Sequence, residues 1–182
     1  MDKRVLLDIA RKAIEEELTG KKLIDRDALV AKYPELLENG AVFVTLNKQN
    51  HLRGCIGSII AHRPLIDDLI YNAKAAAFSD PRFNPLKPDE YKDVSIELSL
   101  LTPPQEIQYT NITDLKAKVI PNVDGIVLRL GNHQATYLPS VWEQLPTFEL
   151  FFSSLCQKAG LPSNCLEAHP VIYRYRANKI EE

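Results

Sequence analysis

Apolar residues recur along this chain with two different spacings, and each spacing predicts one type of secondary structure. Over residues 3–18, 64–78 and 147–159 they recur every three or four positions, which predicts three amphipathic helices. Gly20 and Gly160 follow the first and third of these segments, where a glycine commonly ends a helix. The second segment begins at a proline, which suits a first helical position.

Strands are predicted where apolar and polar residues alternate or where β-branched residues cluster. These segments are residues 41–47, 51–60, 94–101, 125–138 and 170–176. The fourth contains a Gly-Asn pair, which predicts a hairpin turn. Hairpins mixed with separate helices indicate the α+β class, with a mostly antiparallel sheet flanked by helices.

The length of 182 residues predicts a single domain over residues 1–182. A chain of this length can bury enough surface to fold without a metal or a disulfide. The proline-containing stretch at 102–123 is where we expect the boundary of a smaller subdomain.

The charge and cysteine content narrow the possible functions and locations. Lys and Arg total 22 against 24 Asp and Glu, a net charge of −2, which argues against a nucleic-acid-binding surface. Early acidic residues argue against a signal peptide, and no apolar run is long enough to span a membrane. Three widely spaced cysteines argue against a disulfide framework and for a cytoplasmic location.

The segment from Arg53 to Gly57 has an unusual composition for a strand, because glycine weakens strands and two are present. Strand alternation places Arg53, Cys55 and Gly57 on one face and Gly54 on the other. Arg53 would then lie about 6–7 Å from Cys55, where its charge favours the thiolate over the thiol.

This segment has two interpretations. In the first, Cys55 is a small buried hydrophobic residue and the glycines admit the helix predicted at 64–78. In the second, Cys55 is a functional thiol, or the glycines let a ligand approach the backbone closely.

Three further charged residues are candidates for the same site. The Asp-Pro pair at Asp80 fixes a rigid loop that also carries Arg82, and these two side chains can form an ion pair. Glu97 lies on the polar face of its predicted strand. With Arg53 they could form one charged network beside Cys55.

A metal site is not predicted. Cys156 and Cys165 have only His169 nearby as a third zinc ligand, and a structural zinc site needs four. Cys156 falls on the apolar side of its helix, which favours a packing role. We expect no metal and no cofactor.

Several segments together resemble the AMMECR-one domain family. They are LRGCIGS at 52–58, AKAAAFSDPRFNPL at 73–86, IELSLL at 96–101, DGIVLRLG at 124–131 and ATYLPSVWEQLP at 135–146. The resemblance implies an α+β protein with a larger and a smaller subdomain and a cleft that the RGCIG segment faces. It also implies MEMO-type and radical SAM proteins as partners, but no established activity.

From the candidate residues and the family resemblance together, we expect a ligand- or partner-binding protein with its cleft at Arg53-Gly54-Cys55-Ile56-Gly57. Arg53 and Arg82 would bind a carboxylate or phosphate, Asp80 and Glu97 would hold the arginines, and Gly54 and Gly57 would permit close approach. The alternative is a cysteine-dependent enzyme with Cys55 as nucleophile and Arg53 lowering its pKa. The sequence does not decide whether a reaction is catalysed.

Overall fold

Two four-stranded antiparallel sheets carry the fold in the computed structural model, which describes residues 1–182. The chain divides into two units. The first contains residues 1–101 and 178–182, and the second contains residues 102–177. The chain therefore leaves the first unit at the beginning of the proline-containing stretch.

The helices and strands have the following bounds along the chain. The helices are α1 (Arg4–Thr19), α2 (Arg26–Lys32), α3 (Leu65–Phe78), α4 (Pro88–Tyr91), α5 (Ile112–Lys118) and α6 (Phe148–Lys158). The strands are β1 (Ala41–Lys48), β2 (His51–Gly57), β3 (Val94–Leu101), β4 (Gln105–Glu106), β5 (Gly125–Leu130), β6 (His133–Tyr137), β7 (Val171–Tyr175) and β8 (Ala177–Glu181). Short 3₁₀ turns lie at Pro34–Leu37, Pro139–Glu143 and Cys165–Ala168.

The sheet of the first unit has the order β2-β1-β3-β8, and one of its faces is covered by helices. Val44 and Leu98 are fully buried in a core shared with Ile9 of α1 and Leu69 of α3. Because side chains alternate along a strand, Thr45 lies on the opposite face of β1, which is less buried.

The second unit has its own sheet, in the order β4-β7-β5-β6, and its own core. Trp142 is completely buried there and stacks on Phe151 of α6, with ring centroids 3.8 Å apart. The predicted hairpin turns at Gly131, whose φ of +59° is readily adopted by glycine.

The α+β class, the three long helices and the five strand segments are confirmed. The strands divide between two sheets, and β2 ends at Gly57 instead of continuing to residue 60. The periodicity missed α2, α4 and α5, whose seven, four and seven residues span too few turns to show a repeating stripe. No helix is both long enough and apolar enough to cross a membrane.

The expectation that the cysteines are unpaired is wrong for two of the three. Cys156 and Cys165 form a disulfide, with Cα atoms 5.8 Å apart, because the chain reverses direction after α6. Cys156 is buried in the core as predicted, but its sulfur is not free to bind zinc. The cysteine count therefore no longer supports a reducing compartment, and the cytoplasmic location stays a prediction.

Gly54 is required by the packing of α3 against the sheet. A Cβ atom at this position would lie 2.1 Å from the main-chain oxygen of Ala76, far inside van der Waals contact. This agrees with the packing interpretation for Gly54, since the helix occupies the space that a ligand would need.

We predict that Gly54→Ala lowers the free energy of unfolding by about 1–3 kcal/mol or more, because α3 must move away from β2. Urea unfolding followed by circular dichroism measures this change. The matched control is Gly20→Asn, at a left-handed position with nothing within 4 Å of the added Cβ. Equal stabilities of the two variants would contradict the packing role of Gly54.

Candidate functional site

The carboxylate of Asp80 links the loop that follows α3 to strand β2. This side chain is nearly buried and accepts a hydrogen bond of 2.9 Å from the main-chain N–H of Cys55. It also accepts bonds from the main chain of Arg82 at 3.1 Å and from Nε and Nη2 of the Arg82 side chain. These donors, the Arg82 guanidinium above all, lower the pKa of Asp80 well below its usual value, so it is ionised.

Arg82 is held in place on two sides. Besides the two bonds to Asp80, Nη2 of Arg82 donates to the main-chain oxygen of Cys55 at 3.3 Å. The predicted ion pair between Asp80 and Arg82 is therefore confirmed, and it raises the pKa of Arg82. The side chain is still 55% exposed, so its guanidinium is both fixed and accessible.

Arg53 is paired with a residue that the sequence analysis did not single out. Its Nε and Nη2 donate to the two carboxylate oxygens of Glu90 at 3.2 and 3.1 Å, and Nη2 also donates to the main-chain oxygen of Asn84. Lys48 forms a second ion pair with Glu90 at 3.2 Å. These contacts, with Arg53 the largest influence, lower the pKa of Glu90 to about 2.

Glu90 could have been found from the local pattern around Pro88. A proline at the first helical position followed by an acidic residue two positions later is a helix-start signal. In the structure Glu90 accepts a bond from the main-chain N–H of Lys87, which fixes the start of α4. The same carboxylate therefore begins the helix and holds Arg53.

A hollow of about 480 Å³ lies between these two arginines. Its lining residues lie on β2, in the loop between α3 and α4, and on α4 itself. They are Arg53, Arg82, Phe83, Asn84, Pro85, Lys87, Asp89 and Glu90. The guanidinium carbons of Arg53 and Arg82 lie 5.9 and 5.6 Å from the centroid of the Phe83 ring. The hollow thus combines positive charge with one aromatic surface.

Cys55 lies beside this hollow and is not one of its lining residues. Its sulfur is 3.2 Å from the hydroxyl of Thr45, its partner across the sheet. Burial raises the pKa of Cys55, and the opposing effects of Thr45 and the Arg82 charge are smaller. The thiol is therefore protonated at neutral pH.

The expectation that Arg53 favours a thiolate at Cys55 is wrong. The Arg53 guanidinium is engaged with Glu90, and the cation that acts on Cys55 is Arg82. The charges of Asp80 and Glu97 further oppose ionisation of the thiol.

Glu97 lies on the same face of the sheet as Cys55, since Thr45 is the cross-strand partner of both. Its carboxylate pairs with Lys179 of β8 at 3.0 Å. Glu181 and then Glu97 raise the pKa of Lys179 to about 12. The expectation that Glu97 holds one of the two arginines is therefore wrong.

Gly57 is explained by its neighbour on β1. A Cβ atom at Gly57 would lie 2.5 Å from the Cα atom of Phe43 and 2.2 Å from its Cγ. Phe43 therefore occupies the space beside Gly57, as Ala76 does beside Gly54. Both glycines make room for parts of the protein itself, and the site consists of the charged side chains.

We predict that Glu90→Gln destabilises the chain at pH 7 and that this loss disappears in acid. The lowered pKa of Glu90 means that its charged form stabilises the fold above its usual value of 4.5, and that this contribution is lost as pH falls toward about 2. Urea unfolding of both proteins between pH 7 and pH 2 measures the difference.

The matched control for this experiment is Asp89→Asn, on the exposed position next to Glu90. Its stability should follow the native protein across the range. A loss for Glu90→Gln that stays constant with pH would show that the carboxylate charge does not act as described.

We predict that iodoacetamide alkylates Cys55 of the folded chain at pH 7 at least about tenfold more slowly than in urea, because burial disfavours the thiolate. Without reductant, the disulfide leaves Cys55 as the free thiol, so the mass of the alkylated chain reports this residue alone. Cys55→Ser is the unlabelled control. Equal rates in the folded and unfolded chain would contradict protection by burial, and a faster rate in the folded chain would support a nucleophilic cysteine.

Comparison with known proteins identifies the family of this chain. The AMMECR1 family model matches residues 7–180. A protein from Methanothermobacter thermautotrophicus is 39% identical, covering 98% of this chain and 93% of its own length. One from Thermococcus onnurineus is 38% identical, covering 97% and 88%.

A solved structure agrees with this assignment. The crystal structure of an uncharacterised protein, PH0010 from Pyrococcus horikoshii, is 37% identical and superimposes with a TM-score of 0.87 over 98% of this chain and 90% of its own. The chain therefore belongs to the AMMECR1 family.

Proposed function

We propose that this chain binds a small ligand carrying a carboxylate or phosphate in the hollow between Arg53 and Arg82. The observation that supports this most directly is the state of Arg82. Its hydrogen bonds to the protein use Nε and Nη2, so both N–H groups of Nη1 remain available. A guanidinium that is already fixed loses little entropy when it binds an anion.

The balance of charge around the hollow favours an anion. Arg53, Arg82, Lys48 and Lys87 lie in or beside the hollow with three carboxylates, those of Asp80, Asp89 and Glu90, which leaves one positive charge unneutralised. The carboxylates of Asp80 and Glu90 have lowered pKa values and stay ionised over the physiological range. The surplus positive charge is therefore present throughout the physiological pH range.

The aromatic ring in the hollow suggests what the rest of the ligand is like. Phe83 is half-buried and Pro85 is exposed, so both offer apolar surface beside the guanidinium groups. A ligand with an anionic group attached to a flat or apolar body would contact both kinds of surface.

A binding role also fits the protonated state of Cys55, because a neutral, partly buried thiol is a poor nucleophile. The chain would then hold a ligand on which another protein acts. The family resemblance suggests MEMO-type and radical SAM proteins for that role. The cysteine-dependent enzyme is the less favoured alternative, and the alkylation rate of Cys55 distinguishes the two.

The test uses phenyl phosphate as the probe and Arg82→Lys as the variant, measured by isothermal titration calorimetry at low ionic strength. Lysine keeps the positive charge beside Asp80 but loses the free Nη1 donors. We predict that binding weakens about tenfold or more, the value of one charge-assisted hydrogen bond or greater.

The matched control is Arg26→Lys. Arg26 forms the same kind of two-bond pair, with Asp67 at 2.8 Å for both bonds, and does not line the hollow. Its affinity for phenyl phosphate should equal that of the native chain. An unchanged affinity in Arg82→Lys, or no binding by the native chain, would overturn the proposal.

A further inference from the structure

The second unit contains a buried carboxylate with one oxygen that lacks a hydrogen-bond donor. Asp124 precedes β5 and is completely buried. Its Oδ2 accepts a bond of 2.9 Å from the main-chain N–H of Ile120, whereas Oδ1 has no partner within the chain. A buried oxygen without a hydrogen-bond donor lowers the stability of the fold, so the side chains that face Oδ1 need to be identified.

Two arginines face this carboxylate. Arg174 lies near the end of β7, and Arg176 is the first residue after that strand. Nη1 of Arg174 lies 3.8 Å from Oδ2, and Nε of Arg176 lies 3.8 Å from Oδ1. Both distances exceed that of a hydrogen bond, so the attraction is between charges alone. The two guanidinium groups therefore keep most of their N–H donors.

Few N–H groups of the two arginines are used in hydrogen bonds within the chain. Arg174 donates one hydrogen bond, from Nη1 to the main-chain oxygen of Lys118. The Arg176 side chain donates none and is 59% exposed. The main chain of Arg176 is nevertheless fixed, because it exchanges two bonds of 2.8 Å with Thr102.

Both arginines line a hollow of about 420 Å³. The other lining residues are Thr102, Pro103, Gln105 and Tyr175, none of which carries a negative charge. The hydroxyl of Tyr175 is already bonded to the main-chain oxygen of Tyr137, and burial raises its pKa to about 12, so it is neutral. Gln105 and Arg174 are cross-strand partners, and the next pair is Glu106 with Tyr173. Because side chains alternate along a strand, the Glu106 carboxylate is directed to the opposite face of the sheet.

We propose that this hollow is a second anion-binding site, which takes the phosphate or carboxylate group of a small molecule. Two guanidinium groups over one carboxylate leave one positive charge, and Arg176 presents a complete set of unused donors. Asp124 is a positioning residue: it holds the arginines in place by charge and does not use the hydrogen bonds that an anion needs. The site is independent of the hollow in the first unit, because every residue involved lies between 102 and 177.

The test titrates inorganic phosphate and, in a second arm, acetate into the Arg82→Lys chain at low ionic strength, with calorimetry as the direct measurement. That background weakens the first hollow, so the remaining saturable binding reports the second. The tighter of the two anions identifies the group that the site prefers. The fluorescence of Trp142, the one tryptophan of the chain, gives a local signal because its Nε1 donates to the main-chain oxygen of Asp124 at 2.8 Å.

We expect Arg176→Ala to weaken anion binding about tenfold or more, since it removes a fork of charge-assisted donors. Because Arg176→Ala also removes the charge that faces Oδ1 of Asp124, circular dichroism is used to check that the variant is folded. The matched control is Arg129→Ala, an arginine of β5 in the same sheet that bonds to Tyr173 and does not line the hollow. Its affinity should be unchanged.

A second variant, Asp124→Asn, separates positioning from mere charge. The amide oxygen can still accept from Ile120, while the charge that holds the two arginines is gone, so anion affinity should fall several-fold. A rise in affinity would show that Asp124 only competes with the anion and would overturn its positioning role. Saturable binding that is lost in Arg176→Ala and kept in Arg129→Ala supports the proposal. No saturable binding by the Arg82→Lys chain, or equal losses in both arginine variants, would overturn it.

Discussion

The carboxylate of Asp80 accepts hydrogen bonds from the main chain of Cys55 in β2, 25 residues away, and from Arg82 in its own loop. A buried carboxylate is stable only when its oxygens are satisfied, and here every donor belongs to the candidate site. The rest of the site depends on this contact. It aligns the loop with the strand, fixes the Arg82 guanidinium at the rim of the hollow, and places Phe83 between Arg82 and Arg53.

The state of Cys55 follows from the same arrangement. The Arg82 charge that would stabilise a thiolate is largely neutralised by Asp80, to which Arg82 is bonded, and burial then determines the outcome. A cysteine two residues from an arginine in the sequence is therefore a protonated thiol in the structure. The electrostatic effect of a cation depends on which acid it is already paired with, and this pairing is a three-dimensional property.

Sequence reasoning was most successful where the information is local. Periodicity predicted α1, α3 and α6, and the Asp-Pro pair predicted the Asp80–Arg82 contact, because both partners lie within three residues. It failed where the partner is distant. Glu90 is 37 residues from Arg53, and nothing near either residue indicates the pairing.

Glycine was a further ambiguous signal, because a missing side chain makes room equally well for a ligand or for a neighbouring helix. For Gly54, the position of Ala76 shows that the helix occupies this space. The Cys156–Cys165 pair was missed because it depends on how the chain turns after α6.

The net charge of −2 argues against a broad basic surface, but it is compatible with local anion sites. At physiological salt, charges more than about 8–10 Å apart are largely screened from one another, so a hollow responds to its own few neighbours. In both hollows a buried carboxylate faces an arginine, Asp80 beside Arg82 and Asp124 beside Arg176, and the nearby positive charges outnumber the negative ones. They differ in how tightly the arginines are held. Asp80 bonds directly to Arg82 and leaves one nitrogen of that side chain free, whereas Asp124 stays 3.8 Å from Arg176 and leaves all of its nitrogens free. The first arrangement favours a rigid, selective contact and the second an adaptable one, so we expect the two proposed sites to prefer different anions.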